Sequence, residues 1–383
     1  RYMEAGVDLG PGRKVTLLPL TATRRFGASL ARAAGRLAGK AYASECAHST
    51  TLVCHRYPDD DPAQGAAQLL AETLSWKTQA RGRLDGLAIL LRHSHQSVAI
   101  ENGLIRAELP YLTLGFESYL MQPEVLLVRA LLAVALNDFE SLEAEATRRR
   151  LVRALVFFCG VELSFDHREE ETADERLDEA VHHVARDAVS LGPFFDYQVL
   201  QRGDAAMARR LRAAIAVARD VRGPDMFARL LDALQMETLV RTVFVEKARR
   251  RDALAYMGGL ARAAREFNSA RDFFASLNRA ETRAVATGSA LRNASRAAAL
   301  KKTTLTLATV AAVKGLEFEH VMMPGLVQGE FPSSSGSTDL EERNLFYVGM
   351  TRARRALTLF AGARRPSEFL AAAGLAPAGE TVR

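Results

Sequence analysis

Three things are scarce or missing. Cysteine is rare: Cys46, Cys54 and Cys159 are the only three among 383 residues. An odd, low count excludes a disulfide framework and fits a reducing compartment. Cys46 and Cys54 lie near His48 and His55, but the spacing matches no zinc pattern, and Cys54 ends the apolar run TTLVC, which reads as buried strand. Long apolar runs are missing: none approaches a membrane span, and no secretory leader is visible, so a cytoplasmic protein without a membrane partner is expected. Position 1 is not methionine. The chain opens RYMEAGVDLG and reads as a piece of something longer.

What is present points to packed domains. Apolar residues make up 48% of the chain, enough for buried cores. The length calls for two domains, or one domain carrying a large insertion. Lys and Arg total 51 against 45 Asp and Glu, a net charge of +6, and the pI is near 9.4. A mild basic excess favours a polyanionic partner such as nucleic acid, although a merely basic protein has the same balance.

Strand and helix patterns alternate at first. KVTLLPL (14–20), TTLVC (50–54), GLAILL (86–91) and YLTLGF (111–116) read as strands, with helical spacing in ASLARAAGRLAG and in the stretch after Asp61. Asp61 is an expected N-cap with Pro62 in the first helical position. From about Pro123 to Ala299 almost every segment has 3.6-residue apolar spacing, as in VLLVRALLAVALN and MARRLRAAIAVARDV. The clusters RRR (148–150) and ARRRD (248–252) read as exposed helix arginines rather than phosphate contacts. REEETADERLDEA (168–180) reads as a solvated loop and helix start, and SSSGST (333–338) as a flexible loop. Strands return with TLTLAT (304–309), HVMMPG (320–325) and ALTLFAG (356–362). The expected fold class is α/β: a parallel-sheet domain interrupted by a helical insertion of roughly 180 residues, within ordinary domain size.

Charged residues placed just after parallel strands are expected in the crevice at the carboxyl edge of the sheet. Arg24 and Arg25 follow KVTLLPL; Lys314, Gly315 and Glu317 follow TLTLAT; Arg352 is expected on a helix that includes LFYVGMTRA. Guanidinium forks suit phosphate oxygens, and an arginine reaching a γ-phosphate stabilises the transition state of phosphoryl transfer. A glycine admits close backbone approach, and Glu317 could accept from a ribose hydroxyl. Each residue alone reads as a surface ion pair.

Together the segments resemble a known family. TLATVAAVKGLEFEHVMMPGLVQGEFP and LEERNLFYVGMTRARRALTL look like motifs V and VI of the UvrD/Rep-type superfamily 1 DNA helicases, and LTATRRFGASLARAA looks like motif IV. The stretch 87–137 resembles the family in the same order. The resemblance implies a RecA-like domain 2A over 1–118 and 302–383, interrupted by a helical 2B-like insertion over 119–301. It implies that Arg25 and Arg352 contact the γ-phosphate of ATP, and that Gly315 and Glu317 lie by the nucleotide. Arg24 stands where an adenine-stacking aromatic is usual. Thr309 and Lys314 would border single-stranded DNA, with Ala311 in place of a usual histidine. ATP and Mg²⁺ are the implied cofactors. Implied partners are single-stranded DNA, junctions of single- and double-stranded DNA, and an N-terminal helicase domain of the same protein.

A phosphate-binding loop GxxxxGK[ST] is missing. AGRLAGKAY (34–42) has Ala34 for the first glycine and Ala41 for the Ser or Thr, and it follows a helix rather than a strand. No Asp-Glu pair closes an apolar strand; Asp59, Asp60 and Asp61 precede a helix instead. The expectation is a portion of an ATP-dependent helicase or translocase, inactive alone, whose phosphate-binding side lies upstream of Arg1. The alternative is a non-catalytic helicase-like module that binds DNA or serves as a scaffold.

Overall fold

The computed structural model describes residues 21–59, 61–161, 172–292, 300–333 and 338–375. The strand expected over 14–20, and most of the SSSGST loop, lie outside them. Two short strands, β1 (Ala22–Thr23) and β2 (Ala43–Ser44), pair in parallel. Six more form one parallel sheet: β3 (Thr51–Tyr57), β4 (Leu87–Leu91), β5 (Tyr111–Leu114), β6 (Leu305–Thr309), β7 (Phe318–Leu326) and β8 (Ala353–Gly362). Their spatial order is β3-β8-β7-β4-β6-β5. Strands from both ends of the chain therefore interleave.

The central strands are apolar on both faces because helices cover both. In β4, Leu87, Ile89 and Leu91 face one core, with Leu69 of helix Pro62–Gln79 and Leu104 of helix Ser97–Arg106. Ala88 and Leu90 face the other, with Leu30 and Leu37 of helix Ala28–Ala38 and Phe346 of helix Asp339–Met350. The expected cap forms: the Asp61 carboxylate accepts from the Gln64 N–H, with Pro62 opening the helix. Cys54 departs from expectation. It lies in β3, but β3 is an edge strand, so the thiol is only half-buried.

Between β5 and β6 the described chain is helical, with a third core of its own. Helix Pro123–Leu136 is apolar around nearly its whole circumference because other helices surround it. The arginine clusters are spoken for. Arg148 donates to the carbonyls of Leu142, Glu143 and Ala185, Arg149 pairs with Glu145, and Arg150 pairs with Glu117. Arg249 pairs with the buried Glu124 at 2.6 Å, and Arg250 donates to the Phe244 carbonyl. Thr172 caps helix Ala173–Arg186 with a reciprocal bond to Glu175, as the charged stretch predicts.

Candidate functional site

Arg25 is placed by a short, tightly bonded turn. Its N–H donates to Thr23 Oγ1 at 3.1 Å, and the next residue, Phe26, is buried. Gly27 then begins helix Ala28–Ala38, its N–H donating to Thr50 Oγ1 at 2.7 Å. The side chain of Arg25 is left between core and solvent. Its Nε lies 2.5 Å from Glu317 Oε1, both side chains being about one-third exposed.

Glu317 closes the connection that leaves β6. A 3₁₀ turn over Val310–Val313 is followed by Gly315 at φ +90°, a backbone state that favours glycine. Arg352 comes from a third segment. The expected helix ends at Met350, so Arg352 lies in the turn before β8. Thr351 Oγ1 donates to the Tyr347 carbonyl at 2.7 Å and closes the last turn. The Arg352 carbonyl accepts from Phe318 N–H at 2.9 Å, and Arg352 Nη1 donates to the Leu316 carbonyl at 3.2 Å. Its Nε donates to the Val348 carbonyl at 3.0 Å and Nη2 to Thr351 Oγ1 at 3.4 Å. These acceptors are all neutral. Partial burial and then the nearby charge of Arg25 push the Arg352 guanidinium below the ordinary arginine range, with Glu317 opposing.

Arg25 pairs with Glu317, and Arg352 lies near enough to feel the charge of both, so two guanidinium groups gather beside one carboxylate, an arrangement that fits a phosphate. A carboxylate ladder adjoins it. Arg354 Nε is 4.0 Å from Glu317 Oε2, and its Nη1 is 3.3 Å from Glu319 Oε1. Arg355 Nε holds Glu319 Oε2 at 3.0 Å. Single-residue reading missed this ladder. The available signal was an acidic pair, Glu317 and Glu319, where one strand begins, and a basic run, Arg352, Arg354 and Arg355, where the other begins.

The sheet edge differs from expectation. Phe318 is level with Ala353, so Glu317 and Arg352 lie at the amino ends of β7 and β8 rather than at carboxyl ends. The cause is topological. Parallel strands require the chain to travel back between them, and residues 310–317 make that return. Thr309 remains at the carboxyl end of β6, level with Leu91 of β4. A Cβ at Gly115 would come within 2.8 Å of Thr309 Oγ1 and 2.4 Å of the Ala312 Cβ, and Gly115 sits at φ +83°, so both space and backbone demand glycine there. Lys314 is exposed. Arg24 is turned to solvent and pairs with Glu45 at 2.9 Å, apart from the Arg25–Glu317 pair.

The rejected phosphate-loop candidate is explained by its setting. Gly39 is the left-handed C-cap of helix Ala28–Ala38, so Lys40 stands at the carbonyl end, where the helix dipole disfavours an anion. Asp59 accepts the N–H groups of Arg364 and Arg365 at 3.0 and 2.8 Å. Among the described residues, no three His, Cys, Asp or Glu side chains are grouped to hold a metal ion, and no helix is long and apolar enough to cross a membrane.

Residues 225–362 match the model of the UvrD-like helicase C-terminal domain, a span containing Glu317 and Arg352. DNA helicase II of Haemophilus influenzae is 25% identical over 325 residues, covering 80% of this chain and 42% of that protein. The ATP-dependent DNA helicase PcrA of Bacillus subtilis is 47% identical over 62 residues, covering 15% of this chain and 8% of that protein. A probable DNA helicase II homolog of Mycoplasma genitalium is 43% identical over 79 residues, covering 18% and 11%. The chain thus spans about two-fifths of the H. influenzae relative and less of the others. Over residues 225–362 the chain is thus similar to the UvrD-like helicase C-terminal domain, and over most of its length it is similar to a DNA helicase II.

Proposed function

We propose that this chain is the C-terminal portion of an ATP-dependent DNA helicase or translocase, and that it lends two arginines to an ATP site completed by a preceding RecA-like domain. The observation that carries the reading is the convergence of Arg25 and Arg352, from opposite ends of the chain, beside the single carboxylate of Glu317. A non-catalytic scaffold has no evident use for that surplus of positive charge.

In this reading residues 1–118 and 302–383 form one domain and 119–301 the insertion. Arg25 and Arg352 face the γ-phosphate. Gly315 and Glu317 border the nucleotide, and Arg24 is left for the base side. ATP would supply the transferable phosphoryl group, and Mg²⁺ would neutralise its phosphates from ligands on the other domain. Single-stranded DNA and its junctions with duplex pass the carboxyl ends of β4 and β6, near Thr309 and Lys314. The 310–317 connection joins that edge to the arginine pair, which offers a route for coupling nucleotide state to DNA grip.

The test is steady-state, DNA-stimulated ATP hydrolysis by the full-length protein. Arg25→Ala and Arg352→Ala should each lower kcat by about 10³-fold or more with the fold intact, as loss of a transition-state arginine does. Unchanged turnover in both variants would refute the assignment. The isolated chain should hydrolyse no ATP, and should bind single-stranded DNA weakly, with an affinity that falls as salt rises.

A further inference from the structure

We infer that Arg354 is a positioning residue that takes over the Glu317 carboxylate when Arg25 leaves it. The inference rests on the assignment of Arg25 to the γ-phosphate. In the structure Arg25 is engaged: its Nε is 2.5 Å from Glu317 Oε1. To serve a phosphate, the guanidinium must give up that pair. Glu317 is solvent-exposed, so losing its partner has a modest cost, and a second cation already within reach would offset it.

The other oxygen of the same carboxylate faces a second arginine. Arg354 Nε stands 4.0 Å from Glu317 Oε2, at the limit of an ion pair and ready to close. Arg354 is held there by both ends of its residue. Its carbonyl accepts from Thr50 Oγ1 at 2.6 Å and from His48 Nε2, at 3.2 Å. Its Nη1 rests 3.3 Å from Glu319 Oε1. Glu319 in turn has Arg355 at 3.0 Å, so Arg354 can lean towards Glu317 without stranding Glu319. The four groups form a relay in which each carboxylate keeps a cation in both states. An irregularity in the strand pairing sets the relay: Phe318 is level with Ala353 but His320 with Ala356, so Glu319 alone faces the two residues Arg354 and Arg355, and Arg354 also reaches Glu317.

The experiment is a double-mutant cycle on kcat and KM for ATP in the full-length protein, using Arg354→Ala, Glu317→Gln and the combination, with Arg354→Lys as the conservative variant. Arg354→Ala should lower kcat by about two- to fivefold with little change in KM, because the resting state is retained and release of Arg25 is impaired. Arg354→Lys should recover most of the loss. In the Glu317→Gln background, Arg354→Ala should have no further effect, since no charge remains to take over. A residue that merely braces β8 would lower kcat equally in both backgrounds, and that result overturns the inference. So does wild-type kcat in Arg354→Ala. If Arg354→Ala fails to fold, Arg354→Gln, which keeps most of the side chain and drops its charge, carries the same comparison: equal losses of kcat in the wild-type and Glu317→Gln backgrounds reject the relay. Arg25→Ala is run alongside. If it leaves kcat unchanged, the assignment of Arg25 itself has failed; if it abolishes turnover while Arg354→Ala is neutral, only the relay has failed.

Discussion

His95 Nδ1 lies 3.6 Å from Asp252 Oδ1, an ion-pair contact between the sheet and the helical insertion when the ring is charged. His95 belongs to the turn that follows β4; Asp252 belongs to helix Lys247–Ala264. On the ring's other side Glu330, from the loop after β7, stands 3.7 Å from Nε2. Around the ring are also His93, stacked at 5.3 Å, Arg92 with its partner Glu342, Arg251 beside Asp252, and Tyr256 edge-on. Burial disfavours the charged ring, but Asp252 and Glu330 together outweigh it and raise the His95 pKa above its ordinary value. A raised folded pKa gives stability that is fully present below the unfolded value of about 6.5 and is lost as pH rises through the folded value. Amide exchange in helix Lys247–Ala264, corrected for the intrinsic pH dependence, should therefore quicken above that range. His95→Gln should remove the step. An unchanged pH profile in the variant would show that another group fastens the joint.

The opposite sign is expected at two other histidines. Burial pushes His320 down to about 4, and pushes His93 down to about 4 with help from Arg92 and His95. Both are neutral in the fold and charge on unfolding, so stability falls as pH drops from about 6.5 towards 4. For the well-buried His320 the shift corresponds to at most about 3 kcal/mol. The sole tryptophan, Trp76, packs edge-on to His320 at 4.8 Å, which makes its fluorescence a local probe of the sheet. Denaturant midpoints followed through Trp76 should decline over that window. His320→Gln should flatten the decline.

The insertion holds a buried charge at its centre. Arg129 is fully buried and pairs with Glu281, while also donating to Asn278 Oδ1 at 2.9 Å. Glu281→Ala should destabilise the chain by about 3–5 kcal/mol, because it strands a buried guanidinium. Replacing both residues, Arg129→Met with Glu281→Leu, should recover most of that loss. Chemical denaturation of the three variants checks the ordering.

Two glycines near the arginine pair should fail for different reasons. Gly315→Ala meets open space but must hold φ near +90°, so a loss of about 1–2 kcal/mol is expected from the backbone alone. Gly27 has an ordinary φ of −71°, yet a Cβ there would come within 2.6 Å of the Thr50 nitrogen and 2.8 Å of the His48 carbonyl oxygen. Gly27→Ala should therefore cost more, and should shift Arg25 by pushing the helix start away from β3. Thermal melting ranks the two; equal losses would argue that the Thr50 backbone yields freely.

Much of this was readable in the residues. LAILL announces a strand buried on both faces, and Asp61-Pro62 announces a helix start, because those signals are local. Arg25, Glu317 and Arg352 could be nominated from the resemblance and from residue chemistry. Their sheet edge could not, because a sequence tells which residues follow a strand and not where the connection travels before the next one begins. Arg352 was misplaced by two residues, since Thr351 closes the helix through its own hydroxyl. Cys54 was misjudged because an apolar run does not reveal that its strand is outermost. The Glu319–Arg354 and His95–Asp252 contacts depend on how two strands pair and on how a helix of the insertion packs against the sheet, which no short window of sequence contains.

The insertion leaves the sheet from β5 and returns on β6, its immediate neighbour, with the Leu305 N–H donating to the Pro110 carbonyl at 3.1 Å. A parallel pair needs a crossover of only about a dozen residues. The helical body is thus an enlarged crossover, and its size is not an architectural requirement of the sheet. Natural variation in its length and sequence can accumulate without unpicking the strand order, and a graft joining Leu114 to Leu305 through one short helix would keep the strand neighbours that bring Arg25 and Arg352 together.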